Sequence, residues 1–84
     1  MQGEPDERAV LKSFFKATNG QQWSNNDGWG TERPLSEWYG VIVEEVHVVG
    51  LDICGNNLEG SIPVELGQLS SLKELILFGN QLSG

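Results

Sequence analysis

The feature that most constrains this chain is a recurrence. Residues 24 apart match in kind at Val48/Leu72, Leu51/Leu75, Ile53/Leu77, Asn56/Asn80, Leu58/Leu82 and Gly60/Gly84, and Gly55/Gly79 adds a seventh pair. Between these positions the pairs Asp52/Ile76, Cys54/Phe78 and Asn57/Gln81 vary freely. A stacked coil predicts that division. Inward positions must be apolar in every turn, whereas outward ones answer only to solvent or a partner.

The chain has 84 residues, below the usual domain size, and a chain this short buries only about 60% of its unfolded surface. Such a domain needs help from a disulfide, a metal or a neighbouring segment. One cysteine, Cys54, and one histidine, His47, exclude an internal disulfide and a Cys/His metal cluster. The neighbouring segment is the remaining aid.

Upstream of the repeat, Asp6 to Ala17 reads as a helix, because Val10, Leu11, Phe14 and Phe15 form one apolar stripe. Asp6 is the expected N-cap, Glu7 suits the positive end of the helix dipole, and Asn19-Gly20 supplies a left-handed stop. Arg8, Lys12 and Lys16 recur every four residues and are expected to form a solvated outer stripe. The segment 20–38 turns polar and glycine-rich around Trp23, Trp29 and Trp38. Burial of these indoles, with Tyr39, is the expected anchor; a sugar-binding platform of exposed tryptophans is the alternative. Tyr39 to Val43 and Val46 to Ile53 then read as an antiparallel hairpin whose turn, Glu44-Glu45-Val46, lacks the usual glycine.

With these motifs the chain resembles the leucine-rich repeat family, in its plant-type class of 24-residue repeats. The resemblance rests on Leu51-Asp52-Ile53-Cys54-Gly55-Asn56-Asn57-Leu58-Glu59-Gly60-Ser61-Ile62-Pro63, on Leu66, Leu69 and Leu72 at three-residue steps, and on Trp23, Trp29 and Leu35-x-x-Trp38-Tyr39-Gly40-Val41 upstream. It implies an α/β solenoid: a helical cap and β-hairpin, then coils in a right-handed superhelix with short parallel strands on a concave face. The implied organisation is a cap at 1–47 (helix 6–19, Trp-rich loop 20–38, hairpin from 39), a first repeat at 48–71 and an incomplete second at 72–84. The paired cysteines usual in secreted plant caps are missing around Val41-Ile42-Val43-Glu44, which makes this a cysteine-poor variant.

The repeat positions also have physical reasons of their own. Leu51, Ile53, Leu75 and Leu77 suit the inward side of short strands, with Leu58 and Leu82 closing each bend. Asn56 and Asn80 follow each strand where the chain turns inward, and a buried carboxamide there satisfies backbone groups that the bend leaves unpaired. Gly60 is expected to take a conformation closed to larger residues, Pro63 fits an extended return, and Leu66, Leu69 and Leu72 match a 3₁₀-like convex side.

Enzymatic chemistry finds no footing. On one extended strand His47 and Cys54 would lie roughly 23 Å apart, too far for a nucleophile/base pair. Glu44-Glu45 reads as a solvated turn, and Asn25-Asn26-Asp27-Gly28 as a turn without the rest of a calcium loop. No cofactor or metal motif is present. A net charge of −7 opposes nucleic-acid binding, and no apolar run reaches the roughly 20 residues that span a bilayer. No secretion signal and no Asn-x-Ser/Thr sequon are found, which together with the single cysteine slightly favours a reducing, cytoplasmic setting, an extracellular one being the alternative if a signal has been removed.

The expectation is therefore a non-enzymatic module that binds a protein or peptide through Asp52, Cys54, Glu74, Ile76 and Phe78 on the outward side of the strands. The rival is part of an extracellular receptor-like ectodomain binding a secreted peptide or polysaccharide. The apolar edge left by Leu75, Leu77 and Leu82 is expected to meet further repeats downstream or a second copy of the chain.

Overall fold

The computed structural model describes residues 6–82, so the Gly84 member of the repeat lies outside the described residues. Helix α1, Glu7–Ala17, starts where the Asp6 carboxylate accepts the N–H groups of Arg8 and Ala9 at 3.1 and 3.4 Å. These are donors that a helix start otherwise leaves unpaired. Val10, Leu11 and Phe14 are buried on the inner side. Thr18 ends the helix, and Asn19 at φ 61° takes the left-handed turn.

An aromatic cluster follows from the loop closing over that stripe. Phe15 stacks on Trp29 with an interplanar angle of 13°, Trp23 meets Trp29 edge-on at 4.9 Å, and Trp29 lies 5.1 Å from Trp38. The Trp23 and Trp29 indole N–H groups donate to the carbonyls of Thr18 and Tyr39 at 3.0 and 2.9 Å. Burial of all three tryptophans makes them part of the hydrophobic core and argues against an exposed sugar platform. Tyr39 departs from the expectation. It is exposed, because its neighbour Trp38 already fills the inward position.

Arg8 departs too. Its Nη1 donates to the carbonyls of Thr31 and Arg33 at 2.8 and 3.0 Å, and its guanidinium lies 5.4 Å from the Trp38 ring. Rather than joining Lys12 and Lys16 in a solvated stripe, it ties the loop to the helix.

Strands β1, Val41–Glu44, and β2, His47–Asp52, form the antiparallel hairpin, with Glu44 opposite His47 and a bulge between Ile42 and Val43. The turn does without glycine by placing Glu45 at φ 58°. Strand β4, Glu74–Ile76, then lies parallel to β2 with Leu51 beside Leu75, completing a three-stranded sheet in the order β1-β2-β4. The crossover between them carries β3, Glu59–Gly60, and a 3₁₀ turn, Val64–Gln68, which buries Leu66 against the core. Strand β5, Gln81–Leu82, pairs with β3 in parallel.

The two ladders differ in offset. β2 and β4 keep the 24-residue spacing of the sequence, with Gly50 opposite Glu74, whereas β3 and β5 pair Gly60 with Leu82, 22 residues apart. Asn57 in the first bend is left-handed at φ 64°, whereas its counterpart Gln81 already lies in β5.

Two carboxamides hold the rungs in line. Asn80 Oδ1 accepts the N–H groups of Asn56 and Leu58 at 2.7 and 3.1 Å, while its Nδ2 donates to the carbonyls of Ile53 and Leu77 at 2.7 and 2.8 Å. Asn56 repeats the pattern towards the Trp-rich loop. Its side chain accepts from Asn25 N and donates to Asn25 O, both at 2.8 Å.

The helix and the loop after it close the near side of β2 and its bend. Glu59 N donates to Thr18 O at 3.1 Å, and Gly60, at φ 94°, brings the return strand so close to the helix end that a Cβ would sit 2.5 Å from Ala17 O. Glu7 reaches over the other side, accepting Val48 N at 2.9 Å. Leu51, Ile53 and Leu58 are fully buried, each burial contributing about 1.5–3 kcal/mol. On rung two, Leu75 remains exposed and Leu77 and Leu82 are half-buried.

Asn80→Ala strands at least two donors and two carbonyls and should lower stability by about 1–3 kcal/mol in urea unfolding, against a few tenths for the exposed Glu65→Ala. An equal loss in both would remove the carboxamide from its role as a tie. Glu45→Gly relieves a left-handed glutamate and should raise the urea midpoint by the equivalent of about 0.5–1 kcal/mol; a lower midpoint would assign the turn some other constraint.

Candidate interaction surface

The outward side of the three-stranded sheet is assembled by register. Gly50 lies between Ile42 on β1 and Glu74 on β4, and Asp52 lies beside Ile76. A Cβ on Gly50 would meet Ile42 Cδ1 at 3.1 Å and Glu74 Cβ at 3.5 Å, so these side chains flank the glycine and bury it. Gly50 is thus a covered floor and not an exposed position. Immediately beyond the strands, Gly55 N donates to Phe78 O at 3.1 Å, which sets Phe78 next to the Cys54 segment.

Each side chain singled out in the sequence has a definite place. Asp52 and Glu74 are exposed, Cys54 and Ile76 are half-buried, and Phe78 is 74% exposed. Cys54 Sγ donates to Asp52 Oδ1 at 3.3 Å and approaches Ile76 O at 3.8 Å, so Asp52, Cys54 and Ile76 form one contiguous patch, with Glu74 and Phe78 before and after it on the second rung. Ile42 belongs to the same patch and is 40% exposed. It was not among the residues singled out in the sequence. Its signal is the alternation Val41-Ile42-Val43, in which Val41 is buried and Ile42 faces out, but the bulge that leaves Val49 of β2 unpaired opposite the Ile42–Val43 step hides the register of the hairpin from any count along the chain.

Desolvation by neighbouring groups pushes the Cys54 thiol above its ordinary value, and the hydrogen bond to Asp52 and the negative charge of that carboxylate add to the shift. The thiol stays protonated at neutral pH, the unreactive form. His47 has different neighbours. Its Nδ1 lies 3.4 Å from Glu7 Oε2, so the structure does not bring His47 and Cys54 together. Among the described residues no group of three or more His, Cys, Asp or Glu side chains could hold a metal ion, and no helix is long and apolar enough to cross a membrane.

Residues 47–69, spanning β2, the Asn56 bend and the buried 3₁₀ turn, match the family model described as Leucine Rich Repeat. The chain belongs to the leucine-rich repeat family. It is 46% identical over 78 residues to Protein MALE DISCOVERER 2 of Arabidopsis thaliana, a match covering 90% of this chain and 12% of that protein. Protein MALE DISCOVERER 1 of the same plant is 45% identical over 47 residues, 56% of this chain and 7% of that one. A probable leucine-rich repeat receptor-like protein kinase, also from Arabidopsis thaliana, is 36% identical over 64 residues, 75% of this chain and 6% of that protein. This leucine-rich repeat chain therefore spans about a tenth or less of the length of these relatives.

The thiol environment is directly testable. Iodoacetamide should alkylate Cys54 more slowly in the folded chain than in urea at the same pH, and Asp52→Asn should speed the folded reaction by removing the charge that opposes thiolate formation. No effect of Asp52→Asn would dissociate the thiol from that carboxylate.

Proposed function

We propose that this chain is a non-enzymatic interaction module that binds a protein or peptide on the outward face of its β1-β2-β4 sheet. Asp52, Cys54, Glu74, Ile76 and Phe78 make the contacts, joined by Ile42. What carries the reading is Phe78. A phenylalanine 74% exposed two residues beyond Ile76, on the same side of the chain, with the exposed Ile42 on the far strand of the sheet, is apolar surface that the fold leaves unused, and such patches are characteristic of partner sites. Family membership supports the same class, since leucine-rich repeats suggest protein-binding modules. In this reading the rungs follow a right-handed superhelix with this face concave. The polypeptide divides into a cap at 1–47 and repeats at 48–71 and 72–84. The edge formed by Leu75, Leu77 and Leu82 takes further rungs or a second copy, because an uncovered rung leaves apolar side chains in water.

The second reading is that the chain is part of a receptor-like ectodomain. It is favoured by the 36% identity over 75% of this chain to a protein whose name describes a receptor-like kinase. In both readings the same face does the binding.

The test is a double substitution, Ile76→Ser with Phe78→Ser. In a panel of binders selected against the chain from a random-peptide display library, it should abolish capture while leaving the melting temperature within about 2 °C, as expected for exposed positions. A large fall in melting temperature would assign both side chains to packing, and unchanged capture would remove the face from binding.

A further inference from the structure

Building on the sheet face as the binding surface, we propose that its partner is cationic: an extended polypeptide segment presenting Lys or Arg beside apolar side chains. The first ground is the uneven placement of charge. Residues 6–38, the helix and the loop after it, hold five acidic and four basic side chains, whereas residues 39–82 hold six acidic side chains against Lys73 alone. Most of the imbalance of the described residues thus lies in the part that builds the sheet and rungs.

The second ground is local. Asp52 and Glu74 sit on adjacent strands, offset by one outward position, because Gly50 is opposite Glu74 and Asp52 opposite Ile76. Diagonal neighbours of this kind are about 7–8 Å apart and repel when both are charged. Nothing among the described residues relieves that repulsion. The one nearby cation, Lys73, is drawn to Glu44 at 3.4 Å, and Asp52 accepts only from the neutral Cys54 thiol. The two carboxylates are too few for a metal site, yet they suit a side-chain cation, which needs one or two acceptors and an apolar wall for its stem. Ile42 and Ile76 provide that wall, and Phe78 at the margin offers a ring face to a guanidinium. A neutral polysaccharide finds no matching platform, since the three tryptophans are buried in the cap. An anionic partner meets net repulsion.

The experiment uses two synthetic probes titrated into the chain by fluorescence anisotropy: an alternating Arg/Leu peptide and the same peptide with Glu in place of Arg. Two charge variants remove equal charge at different places, Asp52→Asn with Glu74→Gln on the face, and Glu32→Gln with Glu65→Gln away from it. The Arg peptide should bind and the Glu peptide should not. The face pair should weaken binding about tenfold and the control pair less than twofold, with the difference shrinking at high salt. Equal weakening by both pairs, or equal binding of both peptides, overturns the cationic assignment. Ile76→Ser with Phe78→Ser separates the two failures. If it abolishes binding while the charge pairs do nothing, the face remains the binding surface and only the cationic partner is lost; if neither peptide responds to any face substitution, both readings fall.

Discussion

Everything in this molecule depends on the carboxamide of Asn80 reaching back from the second rung into the first. A bend after a strand leaves backbone N–H and C=O groups turned away from solvent, where each unpaired group costs about 1–3 kcal/mol. Asn80 meets both kinds at once, accepting from Asn56 and Leu58 and donating to Ile53 and Leu77. Because its partners lie on two rungs, satisfying the bend and aligning the rungs are one event. The Leu51/Leu75 register of the β2/β4 ladder follows from the same alignment.

A strand and bend so aligned still have an uncovered near side, which the helix and the Trp-rich loop close. These N-terminal residues use the same chemistry at the seam. Asn56 does for Asn25 what Asn80 does for Asn56, and Thr18 O takes the place of a preceding rung by accepting Glu59 N. Their own interior is different in kind. With few aliphatic residues available, it is filled by interlocked rings of Phe14, Phe15 and the three tryptophans, each burying on the order of 150–250 Å². Arg8 pins the loop by its carbonyls and Glu7 pins β2 by the Val48 amide, so the helix holds both ends of what it covers.

This division of labour frees the other side of the sheet. Inward positions are committed to packing and the bends to carboxamides, whereas Asp52, Glu74, Ile76 and Phe78 carry no comparable structural duty. Within this chain the outward pairs Asp52/Ile76 and Cys54/Phe78 differ in kind whereas the inward pairs Leu51/Leu75 and Ile53/Leu77 do not, as a division between solvent-facing and packed positions requires. Cys54 is an intermediate case. It is held by Asp52 and the Ile76 carbonyl and kept protonated by its surroundings, which makes it a small, quiet member of the face.

The primary sequence by itself determined the 24-residue recurrence, the helix with its N-cap, and the burial of Leu51 and Ile53 against the exposure of Asp52. These follow from local signals: the recurrence, a helical apolar stripe and a capping carboxylate. Only the tertiary structure decided the rest. The pairing of Arg8 with carbonyls more than twenty residues away, the exposure of Tyr39, the membership of Ile42 in the outer face and the 22-residue offset of the second ladder each depend on a bulge, a left-handed residue or a long-range contact. Periodicity records which way a side chain must face. It carries no record of what stands opposite, because that is set by where distant backbone groups find hydrogen-bond partners once the rungs have stacked.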